Sequence, residues 1–244
     1  FLMGAYQALT GVDTFYWFSA TDATWSLDPR MSWWTINGEN PTFKWSCSIP
    51  PLMGQFPAAA LAYRMGYLKQ APVVVHEERR LEDLWQRKIP IISEEGSFDP
   101  NRDQGAFAPT SSIKQEVDRL AFLTGPVQVV YGGDPAKNKV ADLSPVIDRA
   151  GKKVKSLTGE IELDYGLGLC KVNAPAFQGF TGFIKKAGGT LTTSDLSLRS
   201  GNDYLTAYFV SMDGQPLASS AKILVQSGTI SRLTGWETIP ATFT

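Results

Sequence analysis

Histidine is nearly absent from this chain: His76 is the only one in 244 residues. Cysteine is almost as scarce, with Cys47 and Cys170 alone. That leaves too few His and Cys ligands for a tetrahedral zinc site. Two isolated cysteines far apart in sequence are also a weak disulfide signal. Charge of either sign lacks a surplus. Lys and Arg total 23 against 24 Asp and Glu, a formal net charge of -1. With no basic excess to neutralise a phosphate backbone, nucleic acid is set aside as a partner. No run approaches the roughly 20 apolar residues that span a bilayer, so no membrane partner is expected. An initiator Met is missing too. Phe1–Leu9 already reads as part of an amphipathic helix, without the charged n-region or cleavage site of a signal peptide. The expectation is that a longer chain precedes Phe1. Cofactor signatures are lacking as well. G-x-S-x-G does not occur, and Gly132-Gly133-Asp134 is too short for a phosphate loop. No cofactor is expected.

What is present is core-forming and aromatic. Hydrophobic residues make up 43% and charged residues 19%, enough to bury a real core. The aromatic side chains gather early in the chain. Residues 1–9 read as helix, with Thr10-Gly11 as its stop. Residues 12–20 are aromatic, β-branched and apolar on both faces, the pattern of a strand covered on both sides in a parallel sheet. Residues 21–51 have no period. They contain Trp25, Trp33, Trp34, Trp45, four prolines and Asn37-Gly38. A loop of that length in a compact domain is usually functional. A second helix is expected from Gly54, with Pro57 in its first turn and Phe56, Ala59, Ala60, Tyr63 and Tyr67 at helical spacing. The order helix, buried strand, long loop, helix is that of a βα repeat with the preceding helix attached.

Lys69-Gln70-Ala71-Pro72 marks a boundary. Beyond it the pattern turns to strands. They are expected at 72–77, 127–131, 160–164, 168–173, 180–185, 190–198, 204–211 and 221–227, with a short helix within 78–86 and a long loop over 94–116. Asp213-Gly214 between two of them is a hairpin signal. Strands at this spacing suggest an antiparallel sandwich.

Three stretches carry a family resemblance. Gly11-Val12-Asp13-Thr14-Phe15-Tyr16-Trp17-Phe18 resembles the eighth strand of a clan A glycoside hydrolase barrel, and Gln55–Gly66 resembles its closing helix. Ile223–Thr229, with Thr234-Gly235-Trp236-Glu237, resembles the ends of large secreted glycoside-hydrolase-like proteins in which a β-sandwich follows the barrel. The resemblance implies α/β plus all-β architecture. Residues 1–70 would be the final βα repeat of a (β/α)8 barrel, and residues 71–244 an antiparallel β-sandwich. It implies polysaccharide as the partner and a secreted or periplasmic location. It also implies that both catalytic glutamates, which stand at the ends of strands four and seven, precede residue 1. No residue of this chain is therefore assigned a catalytic role. A barrel remnant cannot close alone, because its strand edges need covering. Two outcomes are expected: another chain supplies the missing barrel, or residues 1–70 pack in an unusual way on the sandwich.

The candidate sugar-binding residues follow from that placement. Active sites of such barrels lie at the C-terminal ends of the strands, which puts Trp17 near the mouth. A Trp face matches the apolar C–H face of a sugar ring, and its N–H reaches a hydroxyl. Trp25, Trp33, Trp34 and Trp45 lie on the long loop, where exposed aromatics invite a ligand. Asp22 and Asp28 stand among them as acceptors, although an Asx-turn explains either as well.

A glycosidase needs two carboxylates roughly 5–10 Å apart. Glu77-Glu78, Glu82-Asp83 and Glu94-Glu95 are available but sit amid Arg79, Arg80, Arg87 and Lys88, which reads as a solvated, salt-bridged surface. His76, in an apolar strand, reads as structural. Asp99–Gly105 offers oxygen ligands but lacks the spacing and terminal Glu of a calcium loop, so no metal site is assigned. The rival reading is a non-catalytic carbohydrate-binding or scaffold sandwich. A stand-alone hydrolase built on one of the acidic pairs ranks third.

Overall fold

The computed structural model describes residues 2–14, 56–86, 118, 120–228 and 242–243. Two helices come first, α1 (Leu2–Thr10) and α2 (Phe56–Arg64). Each stops at a glycine in the left-handed region, Gly11 at φ 69° and Gly66 at φ 64°. A side chain there would cost roughly 1–2 kcal/mol. The backbone then closes both ends in the same way: Val12 N–H donates to Gln7 O and Tyr67 N–H to Ala62 O. These bonds satisfy carbonyls that a helix end leaves orphaned.

A small sheet follows. It holds β1 (Val75–Arg79), β2 (Val127–Tyr131) and β3 (Lys139–Val140), in the order β2-β1-β3. A one-turn helix, α3 (Leu81–Trp85), follows β1. β1 runs parallel to β2 and antiparallel to β3. The rest of the chain builds an antiparallel meander. Its strands are β4 (Ile147–Asp148), β5 (Lys153–Lys155), β6 (Ile161–Asp164), β7 (Leu169–Ala174) and β8 (Phe177–Gly182). The hairpin β9 (Thr190–Thr192) and β10 (Ser197–Arg199) then leaves the meander. The chain returns as β11 (Leu205–Ser211) and β12 (Ile223–Gly228), and β13 (Thr242–Phe243) pairs with β10. The large sheet has seven strands in the order β12-β11-β8-β7-β6-β5-β4, all antiparallel.

Burial explains which strands are central. β8 and β11 are buried at every position, as strands covered on both faces must be. One face carries Ile161, Cys170, Val172, Ala174, Phe177, Tyr208 and Val210 against Ala5, Ala8 and Leu9 of α1 and Ala58 and Ala62 of α2. Small residues at the helix contacts let the helix backbones settle close to the sheet. The opposite face carries Phe180, Leu205 and Ala207 against Ile184 and Leu198 of the β9–β10 region. Gln178, fully buried there, fastens that hairpin. Its Oε1 accepts from Thr193 Oγ1 at 2.6 Å and from Asp195 N–H at 3.2 Å, while its Nε2 donates to the Asp195 carboxylate. The result is β-rich and sandwich-like, with an antiparallel sheet between a helical layer and a smaller sheet.

Several expectations need correction. Val12, Asp13 and Thr14 have no regular secondary structure, and the rest of the expected strand 12–20 lies outside the described residues. No barrel remnant is seen among the described residues. A parallel pairing is present at β1–β2, inside the part expected to be purely antiparallel. The face of α2 differs too: Ala58 and Ala62 are buried, whereas Phe56 and Ala60 are exposed. An i, i+4 alanine pair approaches a flat sheet more closely than an aromatic stripe can. The stretch 190–198 breaks into two strands, because Thr193-Ser194-Asp195 turns back to reach Gln178. The described parts of residues 1–70 pack on the large sheet.

Candidate functional site

Trp17, Asp22, Trp25, Trp33 and Trp34, and with them Asp28 and Trp45, lie outside the described residues. Their frame is described. The chain leaves α1 at Val12, whose carbonyl accepts from Tyr63 Oη–H at 2.9 Å and from Gln7 Nε2–H at 3.1 Å. It re-enters at Phe56, the first residue of α2. Two residues on, Ala58 N–H donates to Gln226 Oε1 of β12 at 3.1 Å. That bond occupies one of the donors a helix start leaves orphaned. Tyr63 lies seven positions after Phe56, about 10 Å along the helix axis. Both ends of the segment holding five of the seven tryptophans are thus pinned to a helix pair that the large sheet backs.

The carboxylate pair on β1 is not the solvated surface expected from its charged neighbours. Glu77 and Glu78 are 4% and 9% exposed. Glu77 Oε2 receives Arg79 Nη2–H at 2.9 Å, and the Arg79 guanidinium lies 5.8 Å from the Tyr131 ring centroid. Glu78, its strand neighbour, points to the other face. There its Oε2 accepts from Asp134 N–H at 2.6 Å and faces Lys137 Nζ at 3.7 Å. Its own N–H donates to Asn138 Oδ1 at 2.6 Å. The Asp134 N–H first, and His76 second, hold the Glu78 carboxyl below its ordinary range. Such a group carries no proton to give a leaving oxygen near neutral pH. Neither can Glu77 and Glu78 flank one glycosidic bond from opposite faces of a strand. The expected salt bridging is present and the solvation is not, because the turn after β2 folds back over Glu78. Gly133 makes this possible: a side chain there would run into the Glu78 carboxylate. Gly132-Gly133 was the signal in the sequence. Glu82 is exposed, and Glu94-Glu95 lies outside the described residues.

The His76 ring bridges Gln128 Oε1 and Glu78 Oε1. Cys170 is a free thiol beneath α1, and burial pushes it up to about 12. Sequence reasoning missed an aromatic pair at the strand ends. Phe183 and Tyr204 meet edge to face at 5.5 Å, with Lys186 Nζ 4.4 Å above the Phe183 ring. Tyr204 Oη and Thr181 Oγ1 share a hydrogen bond at 3.1 Å. It also missed an open cleft of about 380 Å³ lined by Asp118, Leu143, Ser144, Ile147 and Arg149. In that cleft both aspartates already have partners: Asp118 Oδ2 pairs with Arg149 at 2.6 Å, and Asp142 Oδ1 accepts from Ser144 N–H. Among the described residues no group of three or more His, Cys, Asp and Glu side chains could hold a metal ion, and no helix is long and apolar enough to cross a membrane. Asp99–Gly105 lies outside them. The chain matches no family model, and no curated protein or solved structure is significantly similar to it.

Proposed function

We propose that this chain is the C-terminal, non-catalytic part of a glycoside-hydrolase-like protein that acts on or binds polysaccharide. In this reading both catalytic glutamates belong to preceding sequence. The whole protein works outside the cytoplasm, secreted or periplasmic. The large sheet braces α1 and α2, and the segment between them presents Trp17 and its neighbouring tryptophans to sugar rings. The observation that carries this reading is the double anchoring of that segment, at Val12 by Tyr63 and beside Phe56 by Gln226. Two fixed ends set where the segment leaves and rejoins the helix pair. The ion-paired state of Glu77 and Glu78 supports the non-catalytic assignment. The rival, a free-standing binding module, finds support in Phe183 and Tyr204, where aromatic faces meet a polar rim.

Native gel electrophoresis of the purified chain in soluble β-glucan, xylan, mannan and pectin tests the proposal. At least one polysaccharide should retard it, with no reducing sugar released. Trp17→Ala should weaken retention about tenfold, roughly 1.4 kcal/mol. Phe183→Ala should leave it unchanged under the first reading and abolish it under the second. Free mobility in every gel would refute both.

A further inference from the structure

The only histidine of the chain sits where three parts of the small sheet meet. Its Nδ1 lies 2.8 Å from Gln128 Oε1 on β2, the residue directly across the ladder. Its Nε2 lies 3.2 Å from Glu78 Oε1 on its own strand. Both partner atoms are acceptors. A carboxylate oxygen and an amide carbonyl oxygen offer lone pairs and no proton. A neutral imidazole carries one N–H, and only the cation carries two. Glu78 in turn receives the Asp134 N–H and faces Lys137, so it grips the turn between β2 and β3. The chain of contacts therefore runs from β2 through the ring to Glu78 and on to residues 134–137.

We propose that His76 is held as an imidazolium that ties β2 to β1 and to the following turn, and that this tie opens as the pH rises. On losing a proton the ring keeps one N–H. Glu78, the charged acceptor, forms the stronger hydrogen bond and retains it. Gln128 is then the partner lost, and the tie fails at β2, an outer strand of the three-stranded sheet. The charged groups facing the ring are Glu78 from its own strand, Lys139 paired with it on β3, and Lys137 from the turn beyond Glu78. Hydrogen bonds to Gln128 and then Glu78 raise the ring above its ordinary value, against opposition from desolvation and Lys139. A raised folded value means that the stabilisation is complete below the ordinary value of about 6.5 and disappears as pH climbs through the folded one.

Because the full chain has a single histidine, its ring C–H resonance in a proton–carbon NMR titration reports this site alone. The midpoint should lie above about 6.5. Gln128→Leu should lower it, and Gln128→Glu should raise it. The melting temperature of the unaltered chain should fall as the pH climbs above about 6.5, and His76→Asn should flatten that fall. A midpoint at or below about 6.5 in the unaltered chain overturns the proposal. So does a midpoint that Gln128→Leu leaves in place or raises, since the amide N–H2 would then be donating to a neutral ring. The first measurement decides the matter even where a variant fails to fold.

Discussion

A Cβ atom built on Gly4 would stand 2.8 Å from the Cβ of Ala59. At this point α1 and α2 touch with no space for a further carbon. Two effects compete when Gly4 is enlarged. Replacing a helical glycine gains about 0.5–1 kcal/mol of propensity. Forcing extra carbons into a close-packed contact costs about 1–3 kcal/mol. With leucine the second effect wins, so Gly4→Leu should lose about 1–2 kcal/mol in urea unfolding. The same variant should weaken polysaccharide retention if the helix pair frames the tryptophan segment. Unchanged stability would mean that the helices slide apart freely, and the frame argument would go with it.

The Glu77–Arg79 pair invites a different comparison. Both side chains are less than a tenth exposed, and Arg79 Nε is a buried donor with no hydrogen-bond partner among the described residues. Breaking a buried ion pair from one side costs about 3–5 kcal/mol, because a charge is left stranded. Glu77→Gln, which takes the carboxylate away from Arg79 Nη2, should show a loss of that order. Replacing both partners, as Glu77→Gln with Arg79→Met, should recover most of it. Thermal and urea unfolding of the two single variants and the double variant close the cycle. If each single variant costs under about 1 kcal/mol, the site is wet and the pair behaves as a surface contact.

What was legible in the sequence follows from how local each signal is. Val127–Tyr131 is read correctly to the residue, because Gly132-Gly133 ends it. The β6, β7, β11 and β12 segments agree to within about two residues, as alternation and turn residues allow. Asp213-Gly214 does connect β11 to β12, within a longer connection than a two-residue turn. β3, β4 and β5 are two or three residues long and carry no period of their own; their partners define them. The parallel β1–β2 pairing joins residues about 52 positions apart, and no local pattern encodes that. The burial of Glu78 depends likewise on Asp134, 56 positions away. Gln178 lies outside the strand expected at 180–185, and its role shows only when Thr193 and Asp195 arrive on it. Of the candidate site, the tryptophans come from composition and the resemblance, whereas their anchorage at Tyr63 and Gln226 is a tertiary fact.

Asp213 makes the hairpin between β11 and β12 sensitive to acid. Its Oδ1 accepts from Ser211 Oγ–H and Ser220 Oγ–H, both at 2.8 Å, and from Gln215 N–H. Its Oδ2 accepts from Ala221 N–H at 2.8 Å. Four donors converge on one carboxylate, and the side chain reaches both strand ends of the connection. The Ser220 hydroxyl first, then the Ser211 hydroxyl, hold this carboxyl well below the ordinary aspartate range, with the backbone N–H groups adding to them. The direction fixes the sign. A depressed folded value means that the contribution is whole above the ordinary value of about 3.9 and is lost as pH falls through the folded one. Asp213→Asn keeps one acceptor oxygen but turns an N–H2 towards a donor. It should therefore be less stable than the unaltered chain at neutral pH, and the gap should narrow once the pH drops below about 4. Amide hydrogen exchange at Val210 and Leu224, which face each other across the hairpin, locates the effect. A gap that stays constant from neutral pH to well below about 4 would show that the asparagine acts through shape alone and that the carboxylate charge contributes nothing there.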